Sequence, residues 1–143
     1  MAKTYKLGVV RKLVNVLVTA LIRVGVPMKS TYLLTVVGRR SGKEYTTPVV
    51  LVEHGSARWL VAPYGAVGWV ANARAAGKVT LTRGRRAKTV PIAELGADAS
   101  APILKEYLTN VSVARPFFDV TPQSPVAAFV AEAPRHPVFH VID

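Results

Sequence analysis

Apolar residues recur along the chain at two different periods, and the changes between them divide it into elements. From 5 to 26, Leu7, Val10, Val14, Leu17, Leu21 and Val24 fall three and four residues apart. That spacing predicts a helix, stopped near Gly25 by the Pro27 that follows. Two runs rich in β-branched residues, 33–37 and 46–52, then flank the polar segment Gly38-Arg39-Arg40-Ser41-Gly42-Lys43-Glu44. Such runs, bounded by glycine and small polar residues, predict the two strands of a hairpin. A turn at 53–57 leads to a third strand over 58–62, and Pro63-Tyr64-Gly65 breaks the chain. A short helix over 66–76 follows, ended by Gly77. Val79 and Leu81 alternate with Thr80 and Thr82, so 78–83 and 85–95 read as a second hairpin around Arg83-Gly84-Arg85, with one buried face.

Ser100 is placed to cap a helix over 101–111 whose core face is Leu104, Tyr107, Leu108 and Val111. Pro116, Pro122 and Pro125 make 112–125 a loop that carries Phe117 and Phe118, either as a pocket wall or as two aromatics plugging the core. A short helix at 127–131 and a strand at 137–142 close the chain. The order is a helix, five or six strands with a helix inserted after the third, another helix and a last strand. It predicts an α+β fold: an antiparallel sheet curled into a barrel, with helices packed around it. The 143 residues are expected to make one domain, with 1–29 an N-terminal helix and 30–143 the barrel with its inserted and C-terminal helices.

Composition narrows the chemistry. Half the residues are apolar, which excludes a disordered chain, and the absence of cysteine excludes disulfides, thiol catalysis and cysteine-ligated metals. His136 and His140 are four apart, but Pro134 and Pro137 keep them off a common helix face, so no metal is expected. The net charge of +11 favours anionic partners: nucleic acid, an anionic membrane surface, or a ligand bearing phosphates and carboxylates. Basic residues gather at 3–12, 39–43 and 78–88; in the second hairpin Arg83, Arg85, Arg86 and Lys88 read as a solvated edge that resists strand addition. Nucleic acid is disfavoured, because aromatics are only 8% and no basic–aromatic platform interleaves along the strands. In the 5–26 helix the charge-free run 13–22 is too short to span a bilayer, and with Arg23 after it there is no signal-peptide cleavage pattern. An apolar helix with basic ends suits packing against the barrel or lying on the inner face of a membrane.

The densest candidate chemistry lies at the tip of the first hairpin. Arg39 and Arg40 supply planar forks of donors, Ser41 a hydroxyl, Lys43 an ammonium, and glycines on both sides let a ligand approach the backbone. This is an anion clamp or a plain solvated tip. On the helix over 66–76, Trp69 and Asn72 are three apart and share a face, fit to support a planar heterocycle or simply to fill the core.

Taken together, LLTVVGRRSGKEYTTPV, LVAPYG, VGWVANARAAGKVTL and the terminal RHPVF resemble the deazaflavin-dependent nitroreductase family. It is a branch of the split-barrel flavin/deazaflavin oxidoreductases, with a fold like the FMN-binding pyridoxamine-phosphate oxidases, and it uses coenzyme F(420), an 8-hydroxy-5-deazaflavin. The resemblance is strongest over 32–94. It implies that Arg39, Arg40, Ser41 and Gly42, with Lys43 beside them, grip the coenzyme's phosphate and acidic oligoglutamate tail. Pro48, Val49 and Val50 match the strand along the deazaflavin ring, and Ala62, Pro63, Tyr64 and Gly65 the loop beside it. Trp69 and Asn72 match the helix near the ring, with Arg74 and Lys78 as further tail contacts. Three departures stand out: Tyr45 occupies a position commonly basic in the family, the 65–69 loop is short, and Phe117 and Phe118 lie where some members present tyrosines to substrate.

The expected activity is therefore hydride transfer from the reduced coenzyme to a flat, electron-poor acceptor such as an activated alkene, quinone or nitroaromatic. Tyr64, another hydroxyl or water is the candidate proton donor, and Phe117 and Phe118 are candidate walls of the substrate pocket. FMN, or a tetrapyrrole degradation product, is the alternative ligand on the same barrel. A cytoplasmic enzyme, monomeric or homodimeric, with its N-terminal helix either packed on the barrel or touching the inner membrane face, completes the expectation.

Overall fold

In a computed structural model of the protein, residues 30–65 and 68–143 are described. The helix expected over 5–26 lies outside them. Six strands form a closed antiparallel barrel: β1 (Thr31–Val37), β2 (Glu44–His54), β3 (Ala57–Val61), β4 (Lys78–Arg83), β5 (Arg86–Glu94) and β6 (Val138–Val141). Their order around the barrel is β1-β2-β3-β6-β5-β4. Helix α1 (Gly68–Ala76) is inserted after β3; α2 (Ala97–Asn110), a 3-10 turn at Ser112–Phe117 and α3 (Val126–Glu132) come between β5 and β6. Among the described residues no helix is long and apolar enough to cross a membrane.

Two strands act as corners. Strand β2 pairs with β1 from Glu44 to Val50 and with β3 only from Leu51 to His54; β5 pairs with β4 up to Pro91 and with β6 from Ile92 onward. Each corner therefore changes neighbours halfway along. This also explains the unbroken apolar run of β2. Val49 and Leu51 point into the barrel with Leu34, Leu60 and Phe139, while Val50 and Val52 point outward under Leu104, Leu108 and Phe129 of α2 and α3. A strand buried on both faces has no reason to alternate.

On the far wall, which no helix of the described residues covers, a polar row lies between the exposed Leu33 and Val37 of β1. Thr46, Thr35, Thr80 and Thr89 lie in one row across β2, β1, β4 and β5, with hydroxyl pairs Thr35–Thr46 and Thr80–Thr89 both at 2.8 Å. Cross-strand threonine pairs of this kind stabilise a sheet by a few tenths of a kcal/mol up to about 1 kcal/mol each.

Two expectations are corrected. The basic β4–β5 hairpin is an edge only in part: β4 is bonded to β1 over 80–82 and β5 to β6 from Ile92 onward, which leaves one side of β5 without a ladder over 86–90, where Arg86 and Lys88 lie. Ser100 is not a cap: α2 begins after Gly96, and Ser100 is buried inside it, its Oγ donating to Leu95 O at 3.5 Å. Asp98 in the first turn complements the helix dipole instead.

Candidate active site

The β1–β2 turn is built by its own backbone. Gly38 N–H donates to Lys43 O at 2.7 Å and Gly42 N–H to Gly38 O at 2.9 Å. Gly42 has a φ of 73°, where a side chain is strained. Ser41 Oγ accepts the Lys43 N–H at 3.2 Å and lies 3.4 Å from the Tyr45 hydroxyl. A Cβ on Gly38 would meet Ser41 Oγ and the Tyr45 ring, each at 2.8 Å, so the turn closes only around glycine.

A second anchor reaches the turn from α1. Asn72 is buried, and its Oδ1 accepts both the Arg39 backbone N–H at 3.0 Å and Arg39 Nη1 at 2.8 Å. The carboxamide oxygen is thus committed to the turn, and Arg39 to the fold. Arg40 and Lys43 are exposed, and among the described residues their cationic groups have no partner. A locked backbone carrying exposed cations has the chemistry to receive an anion at little ordering cost. Asn72→Leu keeps the volume and deletes the acceptor for both donors. It is expected to lower Tm by about 5 °C, for the loss of about 1–2 kcal/mol, and to weaken coenzyme binding about tenfold. Thermal melts and fluorescence titration check the two effects.

Beside the turn the barrel splits. Over 46–50 strand β2 is bonded to β1 alone, since its ladder to β3 begins at Leu51–Leu60. Strand β3 ends at Val61 and its chain continues as the 62–65 loop. Over 46–50 one edge of β2's backbone groups has no ladder partner, which suits it to hydrogen bonding a flat heterocycle. The side chains of Val49 and Val50 are sunk in the two cores, 7% and 5% exposed, so this part of β2 offers backbone and the half-buried Pro48. Trp69 is half-buried over the barrel mouth, its ring 6.2 Å from that of Phe139.

The 62–65 loop is tied to the segment before β6. Ala62 N–H donates to Pro137 O at 2.8 Å, and Pro63 O faces His136 Nδ1 at 2.7 Å. Gly65 has a φ of 87°, and a Cβ there would press on Arg135 O at 3.3 Å. Tyr64 meets Phe117 edge-on at 4.6 Å, while Phe118, 6% exposed, stacks on the His136 ring at 3.7 Å. Of the two phenylalanines, then, Phe118 belongs to the core and Phe117 is half-buried against Tyr64.

His136 and Glu132 were not singled out as site residues by the sequence. Both are buried, with Nε2 and Oε2 2.7 Å apart. Burial lowers the His136 pKa below the ordinary histidine value, against the opposing pull of the Glu132 carboxyl and the Pro63 carbonyl. Burial also pushes the Tyr107 hydroxyl far above its ordinary pKa, with Tyr64 adding to the effect, so Tyr107 keeps its proton. Arg74 is paired with Glu94 through two bonds, at 2.8 and 2.7 Å, and Lys78 is exposed on the same side of the barrel.

The family model of F(420)H(2)-dependent quinone reductases matches residues 9–133. The chain belongs to this family. As an F(420)H(2)-dependent quinone reductase family member it is an oxidoreductase, and its cofactor is coenzyme F(420). The residues present fit that group: a glycine-framed turn with Arg40 and Lys43 uncommitted suits an acidic tail, and an open backbone edge suits a planar ring. No curated protein matches the chain significantly. Among solved structures, an F(420)-H(2) dependent reductase is 24% identical with a TM-score of 0.53, over 80% of this chain and 95% of that one. A protein described as a domain-swapped dimer is 22% identical with a TM-score of 0.55, over 80% and 81%. An FMN-binding, pyridoxamine 5'-phosphate oxidase-related protein from Nostoc punctiforme has a TM-score of 0.56 at 10% identity, over 90% and 79%. Likeness at these identities shows the shared split barrel, as the sequence predicted.

Proposed function

We propose that this family member transfers hydride to a planar, electron-poor acceptor of the quinone, enone or nitroaromatic class, bound between the unpaired edge of β2 and the 62–65 loop. Coenzyme F(420), when bound, supplies the hydride donor. The chain's own residues supply position. The Arg39–Lys43 turn holds the acidic tail, with Arg40, Ser41 and Lys43 turned to it and Arg39 kept in place by Asn72. Pro48 and the free edge of β2 flank the ring on one side, Ala62, Pro63 and Gly65 on the other, with Trp69 at the mouth. Val49 and Val50 contribute through their backbone. Holding donor and acceptor near contact accelerates the hydride transfer itself, and a proton then completes the reduction.

The observation that carries this reading is the pairing of uncommitted cations with a turn already locked by Asn72. Tyr64 is the proton donor in this scheme, and Phe117 fixes its ring from the side. The expected test result is that Tyr64→Phe lowers kcat about a hundredfold while coenzyme affinity stays unchanged. Stopped-flow oxidation of the reduced coenzyme by a quinone, an enone and a nitroaromatic measures this and ranks the acceptors. Equal rates for Tyr64→Phe and the parent protein would remove Tyr64 from the mechanism.

The family's acceptors point to a site of action near membranes, and the apolar 5–26 segment with basic ends gives a means of reaching one. Leu17→Glu with Leu21→Glu in the full chain should abolish co-sedimentation with anionic vesicles. Retained co-sedimentation in that variant would exclude the segment as the contact.

A further inference from the structure

The RHPVF segment ending the chain has no role in the scheme above, yet it makes the most deliberate buried polar contacts of the described residues. His136 is 2% exposed and Glu132 5%. His136 Nδ1 faces the Pro63 carbonyl at 2.7 Å, and Nε2 faces Glu132 Oε2 at the same distance. A carbonyl and a carboxyl oxygen are both acceptors, so two short contacts require two protons: one on Nδ1, and one between Nε2 and Oε2. Glu132 Oε2 also accepts the Asp119 N–H at 3.2 Å, and Phe118 lies flat against the imidazole, 12° from parallel. The charged groups around the pair are Arg135, whose Nη1 is 3.8 Å from Glu132 Oε1, and Asp119, which pairs with Arg135. The cluster reaches the 62–65 loop through His136 Nδ1 at the Pro63 carbonyl.

We propose that His136 and Glu132 are a positioning pair that fixes the 62–65 loop, and with it Tyr64, for the reaction beside β2. The proposal rests on the reading that puts this loop beside the coenzyme ring. Position here is set from two sides. The Ala62 N–H is held by Pro137 O and the Pro63 carbonyl by His136, so consecutive residues of the loop are pinned to consecutive residues of the chain before β6. At its far end only the absence of a side chain on Gly65 lets the loop run beside Arg135 O, which an added Cβ would meet at 3.3 Å. Phe118 on His136 and Phe117 on Tyr64 extend the same restraint to the side chains. Nothing in this arrangement touches the reacting atoms.

Three variants test it. His136→Phe keeps the stack on Phe118 and deletes both hydrogen bonds. Glu132→Ala strands His136 Nε2 and the Asp119 N–H. Glu132→Gln keeps only one of the two contacts, because both are made by Oε2 and one amide atom cannot donate to Nε2 and also accept from Asp119. Hydrogen exchange at the Ala62 and Gly65 amides is read in the protein without coenzyme, against amides of the β1–β4 ladder as the reference for global stability. In His136→Phe and Glu132→Ala, exchange at these amides should rise about tenfold more than the reference. In the same variants kcat should fall roughly ten- to a hundredfold at little-changed coenzyme affinity. Glu132→Gln, with one contact kept, should fall between the parent and Glu132→Ala in both readouts. Unchanged exchange in His136→Phe, or unchanged kcat despite a loosened loop, would each overturn the proposal. A failure of the tail anchor is distinguishable, because it appears as unchanged coenzyme affinity in turn variants and leaves the exchange result standing.

Discussion

Replacing Arg40 and Ser41 together by alanine is expected to weaken coenzyme binding roughly hundredfold, the largest effect on function of any change outside the core. Hydrogen bonds to charged groups contribute about 1.5–3 kcal/mol, and two such losses from an exposed turn, discounted for screening, sum to about 3 kcal/mol. The turn itself should survive, since it is held by Gly38, Gly42, Lys43 and the Arg39–Asn72 bonds, none of which the change removes. Fluorescence quenching on titration with the coenzyme measures the loss, which should shrink as salt is raised. Arg86→Ala, which removes an equal charge from the tip of the β4–β5 hairpin, serves as the control and should leave affinity unchanged. If the control weakens binding as much as a single change at Arg40, general charge and not the turn attracts the ligand.

Phe139→Ala should have the largest effect on stability with a consequence for the site. The ring is 1% exposed, and sits inside the barrel where β6 pairs with both β3 and β5, opposite Leu60 and Glu94. Loss of a buried phenylalanine costs about 3–5 kcal/mol, which lowers Tm by about 10–20 °C in a domain of this size. Phe139 also lies under Trp69, so the tryptophan should lose its support and its fluorescence should shift to the red. Leu108→Ala, in the outer core between β2 and the helices, should destabilise by about 2–5 kcal/mol without that spectral change. Both variants carry Trp59→Phe for this comparison, since Trp59 packs on the outer core. Thermal melts with tryptophan emission separate the two. Equal emission spectra would mean that the two cores are one unit.

Most strands were legible because their causes are local. The alternation of Val79 and Leu81 with threonines, the Gly84 turn with its φ of 61° and the stop at Gly77 all fix structure within a few residues. The basic turn was legible for the same reason: glycines and cations adjacent in sequence are adjacent in space. Ser100 shows where local reasoning misleads, since a residue with cap chemistry lies one turn inside a helix that Gly96 begins.

Which residues form strands and which carry positive charge was determined by the order of side chains alone, because period and turn chemistry act over a handful of residues. What the strands enclose was decided only by closure of the barrel. That closure left one side of β5 unbonded over 86–90 and one side of β2 over 46–50. It set Asn72 against Arg39, 33 residues away, and His136 against Pro63, 73 residues away. No periodicity encodes such meetings; they follow from burial, which gives a polar group a partner wherever the fold places one.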